Sequence, residues 1–97
     1  MNRARFLQPA EEEMVAAMLY YEGQADGLGR EFLEKVEFAV RDAAMNPERW
    51  PVVQTGVRRR LVSQFPYAVF YRVECEKIVV LAVANLRRRP DYWVSRV

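Results

Sequence analysis

The sequence predicts an α+β fold: an antiparallel helical hairpin packed on a small antiparallel sheet, in β-α-α-β-β-β order, with a short C-terminal tail. Three observations carry this. Residues 78–84 (IVVLAVA) form an unbroken apolar run of strand length, bounded by Lys77 and Asn85 and too short for a helix. A strand apolar on both sides is a central strand, covered on each face. Residues 67–73 are dense in aromatic and β-branched types, which suit a pleated, half-buried surface. The first half of the chain instead carries two stretches of helical periodicity, joined by the glycine-rich GQADGLG.

Taken in order, residues 3–8 form a short strand ending at Pro9. Proline suits the first turn of a helix, and Glu11, Glu12 and Glu13 then complement its positive N-terminal end. Met14, Ala17, Met18 and Tyr21 recur at i, i+3, i+4 and i+7, which sets the first helix at residues 9–22. Residues 23–29 are the connection, with Asp26 as candidate N-cap. The second helix covers residues 28–45, with the apolar stripe Leu28, Phe32, Val36, Ala39, Val40 and Ala43. Its charged residues lie mostly opposite, where Glu31–Lys35 and Glu37–Arg41 each add a few tenths of a kcal/mol. These charges, and the Glu11, Glu12, Glu13 run, read as solvated faces. Asn46 and Pro47 end the helix. The short connection makes the two helices antiparallel neighbours, which bury their stripe only against a sheet.

Residues 46–56 form a compact linker with two prolines, and Trp50 is placed to plug the seam between helices and sheet. Residues 57–63 are a strand, read as an edge strand, followed by a turn at Gln64, Phe65 and Pro66. Residues 74–77 link the last two strands as an antiparallel hairpin. The expected core is Phe32, Val36, Val40, Val69, Tyr71, Val80 and Leu81.

A chain of 97 residues is read as one domain spanning 1–97. With 52% hydrophobic and 29% charged residues it is too apolar for a disordered segment. No apolar run reaches the roughly 18–20 residues of a membrane span and no secretory leader is apparent, so a soluble, cytoplasmic protein is expected. Histidine is absent, which removes the usual general base and most metal sites. The lone Cys75 falls in the hairpin turn and supplies neither a disulfide nor a zinc site. Residues 1–48 hold ten acidic and five basic residues, whereas residues 49–97 hold ten basic and three acidic. The net charge of +2 therefore hides a basic sheet half suited to an anionic partner, or attracted to the acidic helices.

GLGREF opening the second helix, NPERWPVV after it, GVRRRLVSQFPYAVFYRV and then IVVLAVANLRRRPDYW give a pattern over about residues 5–93 that resembles the RelE/ParE superfamily of bacterial type II toxin–antitoxin toxins. The resemblance implies a cytoplasmic toxin neutralised by a cognate antitoxin whose C-terminal segment wraps over helices and sheet, with no cofactor and no membrane partner. The ribonuclease branch cuts messenger RNA on the ribosome, which needs a proton acceptor, a proton donor and a cation at the scissile phosphate. That branch places an arginine after the tyrosine opening the middle strand, where this chain has Ala68. It places a basic residue or histidine at the end of the last strand, where this chain has Asn85. Arg72, Arg87 and Tyr92 remain as catalytic candidates, and arginine is permanently protonated, so it stabilises charge without shuttling protons. The ParE-like branch, associated with inhibition of DNA gyrase by binding, fits the missing positions better. A degenerate member serving only as an interaction domain is the third reading.

The expected partner-binding residues are Arg58, Arg59 and Arg60, then Arg87, Arg88 and Arg89, and finally Tyr92 and Trp93. Each has a structural alternative. Charges on an edge strand discourage aggregation, Arg72 suits a buried ion pair or cation–π contact, and Tyr92 and Trp93 could pack the tail down.

Overall fold

The computed structural model describes residues 3–54, 56–89 and 91–97. The chain runs β1 (Arg3–Phe6), α1 (Gln8–Gln24), α2 (Leu28–Met45), β2 (Val52–Gln54), β3 (Val57–Leu61), β4 (Tyr67–Glu74) and β5 (Lys77–Asn85), and ends in a single 3-10 turn at Val94–Arg96. The sheet order is β1-β5-β4-β3-β2. The α+β class and the helical hairpin on a sheet are as the sequence predicts. The sheet itself is mixed, because β1 lies parallel to β5 while all other neighbours are antiparallel. A parallel neighbour needs a crossover connection, and the helical hairpin supplies it. The sheet also gains the three-residue β2, so β3 is an inner strand and its arginines guard no edge.

The second helix keeps its predicted bounds, and its stripe from Phe32 to Ala43 is buried. Its start is built differently from the expectation. Gly27, with φ of 85°, occupies the N-cap, a left-handed conformation that glycine adopts without strain, and Asp26 makes no cap. The amides of Gly27 and Gly29, which have no intrahelical partner, donate instead to the two carboxylate oxygens of Glu22, each at 3.0 Å. A side chain of α1 thus satisfies the first turn of α2. The helices cross closely here, since a Cβ on Gly29 would lie 2.6 Å from the Met18 carbonyl oxygen.

β5 is buried from Ile78 through Ala84. Its helix-facing side chains, Ile78, Val80 and Val83, join Phe32, Val36, Val69 and Tyr71 in the main core. On the other face Val79, Leu81, Ala82 and Ala84 form a second cluster with Val57 and Trp93. Alternation would put Ala82 and Val83 on the opposite faces. A register shift explains the switch: Phe70 pairs with Ala82 but Tyr71 pairs with Val80, which leaves Leu81 as the extra residue of a β-bulge. Every expected core residue is buried. Trp50 packs against the main core with the Arg60 guanidinium 4.4 Å from its ring centroid.

The two glycines at the helical hairpin give opposite expectations. Gly29→Ala forces a Cβ into a backbone carbonyl and should cost about 1–3 kcal/mol. Gly23→Ala, where nothing lies within 4 Å, should be neutral or raise stability by about 0.5–1 kcal/mol. Paired thermal melts of the two variants check this, and equal melting temperatures would contradict the close crossing.

Candidate functional site

The C-terminal tail covers part of the sheet face away from the helices, where Trp93 joins the buried cluster and Leu7 and Tyr92 pack against it. Strand alternation places Arg59 of β3, Phe70 of β4 and Ala82 of β5 in one row on this face. After β5 the chain turns at once: the Asn85 side-chain oxygen accepts from the Arg87 amide at 2.8 Å, and its carbonyl accepts from the Arg88 amide at 3.0 Å. The tail then folds back, and Trp93 stacks on Phe70 with ring centroids 4.7 Å apart.

One carboxylate fixes the tail. The Tyr92 hydroxyl donates to Glu13 at 2.7 Å, the Arg96 guanidinium donates to both Glu13 oxygens at 3.0 and 3.1 Å, and Arg88 approaches to 3.6 Å. Glu13 also accepts the Val83 amide at 3.1 Å, and Arg96 donates to the Leu81 carbonyl at 3.0 Å. Those two β5 groups lie where β1 has ended, so side chains satisfy a strand edge that no strand covers. Glu13 is therefore no solvated member of an acidic run: its side chain is 14% exposed. Sequence reasoning missed both Glu13 and Arg96. Residue type does not separate Glu13 from its two neighbours, but helical spacing does: it lies three residues after Ala10 and four before Ala17, the buried residues of α1.

Between this tail and β3 lies a cleft of about 260 Å³, lined among others by Arg59, Phe70, Leu86, Arg89, Tyr92 and Trp93. Five of the predicted residues thus meet around one space, counting Arg88, which also lines it. The others lie elsewhere. Arg58 donates to the Glu48 and Trp50 carbonyls at 3.0 and 2.7 Å and holds the linker. Arg60 pairs with Asp42 at 3.2 Å and also donates to the Leu61 carbonyl. Arg72 pairs with Glu74 at 3.3 Å near the β4–β5 turn, away from the cleft. Arg87 is exposed in the turn after β5. Ala68 is buried against Ala84. Of the catalytic candidates, only Tyr92 lines the cleft.

The electrostatics at Tyr92 run opposite to what proton abstraction needs. Burial, followed by the hydrogen bond to Glu13 and the charge of Glu13, raises its pKa well above the usual tyrosine value, and Arg88 and Arg96 only partly oppose this. The hydroxyl is a fixed donor. Arg88 and Arg96 sit over the ring at 3.9 and 5.1 Å from its centroid. No group of histidine, cysteine and carboxylate side chains arranged to hold a metal occurs among the described residues. Among the described residues no helix is long and apolar enough to cross a membrane.

Two outcomes test this geometry. Glu13→Ala strips the acceptor from Tyr92, Arg96 and the Val83 amide, and should cost about 3 kcal/mol. Amide exchange should rise in the tail and at Val83, and unchanged exchange there would contradict the latch. The second outcome is alkaline. Burial lifts Tyr71 to about 12, and Tyr92 is raised as well. The unfolded chain loses these protons near pH 10, so it binds fewer protons than the native state above that pH. Stability should hold below about pH 10 and fall as pH rises toward 12. The Tyr71→Phe, Tyr92→Phe double variant should flatten that decline in melting temperature.

The family model for the ParE toxin of the type II toxin–antitoxin system parDE matches residues 4–90. Among solved structures, a chain of the chromosomal ParDE toxin–antitoxin system from P. aeruginosa is similar, with a TM-score of 0.62 at 19% identity, covering 88% of this chain and 96% of that one. At that identity the likeness speaks to the fold. No curated protein sequence matches. With nearly the whole chain spanned by the family model and the fold agreeing, the chain belongs to the ParE toxin family of type II toxin–antitoxin systems.

Proposed function

We propose that this toxin acts by binding its target rather than by cutting it, and that a cognate antitoxin holds it inactive. The observation that supports this most directly is the Tyr92 hydroxyl, committed as a donor to Glu13 and raised in pKa by burial. Cleavage of RNA at a 2′-OH needs a group that accepts a proton near neutral pH. Arg59, Arg88 and Arg89 around the cleft carry permanent charge and serve recognition. The target we favour is DNA gyrase, which the ParE-like resemblance implies, with a cytoplasmic site of action. The parDE context supports an antitoxin as the stable partner.

Expression of the chain should arrest growth, and co-expression of the protein from the adjacent reading frame should relieve the arrest and co-purify with it. In purified form it should inhibit gyrase supercoiling and leave messenger RNA intact on translating ribosomes. Codon-position-specific cuts that disappear in Tyr92→Phe would overturn the binding mode and make the protein a nuclease. Inactivity in both assays would leave an interaction domain.

A further inference from the structure

We infer that the cleft between β3 and the tail docks an acidic peptide segment, with a carboxylate taken by Arg59 and Arg89 and a neighbouring aliphatic side chain seated on the cleft floor. The inference deepens the reading of this face as a partner-binding surface, and rests on it for the biological role of the peptide.

The charge distribution is the first support. Arg60, Arg72, Arg88 and Arg96 each have a carboxylate within 4.0 Å, and Arg58 is engaged by two carbonyls. Arg59 and Arg89 line the cleft and have no such ion pair among the described residues. The Nε of Arg59 is buried and meets no acceptor among the described residues. That Nε has no accessible surface, so a ligand would meet the guanidinium where Arg59 lines the cleft, and an oxyanion there would offset a charge that no carboxylate balances among the described residues. Two unpaired guanidinium groups at one cleft therefore favour an anionic ligand, and a carboxylate matches their planar donor geometry.

The lining decides between peptide and nucleic acid. Single strands are held by stacking bases on open aromatic faces. Here Trp93 is 2% exposed and stacked on Phe70, and Arg88 lies over the Tyr92 ring at 3.9 Å. Those faces are occupied. What remains is an apolar floor from Ala84 and Phe70, a rim with exposed Val53 and Leu86, and the polar Asn85 and Asp91, whose single carboxylate is outnumbered by Arg59, Arg88 and Arg89; the volume of about 260 Å³ suits one large aliphatic side chain. An acidic residue beside a leucine-like residue is the matching sequence, and its association should weaken with salt.

The test uses the purified full chain and fluorescence anisotropy with four labelled probes: a short peptide alternating Glu and Leu, its Gln-for-Glu counterpart, an all-Glu peptide and a single-stranded DNA of similar charge. The Glu–Leu peptide should bind best, with the Gln version about tenfold weaker or more. Arg59→Ala and Arg89→Ala should each weaken binding roughly ten- to a hundredfold. Arg59→Lys should recover only part, because it keeps the charge and loses the fork. Arg30→Ala, exposed on α2, serves as the control and should change nothing. Arg89 is exposed in the tail turn, so its variant remains informative if Arg59→Ala fails to fold. Tighter binding of the DNA, equal binding of the Glu and Gln peptides, indifference to both arginines, or no peptide binding at all would each overturn the inference. Peptide failure with growth arrest intact would remove this inference alone. Peptide binding by a chain that neither arrests growth nor inhibits supercoiling would leave it standing and remove the proposed target.

Discussion

The constraint on which the rest depends is that β5 must be covered on two faces and along an edge that its neighbour does not reach. β1 pairs with it only from Lys77 to Val80. Beyond that point backbone groups of an otherwise buried strand would lie open, and an uncovered apolar edge invites pairing with other chains. The Leu7 amide takes the Val80 carbonyl, Glu13 takes the Val83 amide and Arg96 takes the Leu81 carbonyl. The bulge at Leu81 coincides with this handover. It turns the upper half of the strand so that Val83 meets the helices while Ala82 and Ala84 meet the tail.

How much of this was legible depends on whether the signal is periodic. α2 was readable to the residue because its stripe is strong and Gly27 and Asn46–Pro47 flank it. β4 and β5 each differ from expectation by one residue at the ends, since their side-chain types suit no other element. β2 was not readable: three residues between Pro51 and Gly56 carry no period, and only pairing with β3 makes them a strand. The cleft was half legible. Alternation along Arg58, Arg59 and Arg60 implies that the middle one faces away from the other two, yet the sequence does not say which face the helices cover. Tyr92 and Trp93 were found as residues, but their environment was not, because it is set by Glu13, seventy-nine positions from Tyr92.

The two arginine triplets show how the same residue type is divided by geometry. In β3, Arg58 and Arg60 face the helical side and are consumed by carbonyls and by Asp42, and Arg60 also lies over the Trp50 ring. Arg59, between them, is left to the cleft. In the tail turn Arg88 is drawn to Glu13 and Tyr92, whereas Arg89 lines the cleft. Of six arginines in runs, Arg59 and Arg89 line the cleft without an ion pair among the described residues, and Arg87 is exposed outside it.

The same latch ties the cleft to helix position. α1 carries apolar residues on both sides, with Leu19 and Tyr20 about 60% exposed, so its own amphipathicity does little to set its rotation on the sheet. Glu22 fixes its far end to α2, and Glu13 fixes its near end to β5 and to the tail. Tyr92 and Trp93 form one wall of the cleft, and Glu13 holds Tyr92, so that wall is anchored to the near end of α1. The helical hairpin and the sheet face are opposite surfaces of the domain, yet the Glu13 carboxylate joins α1 to β5 and to the tail that covers that face.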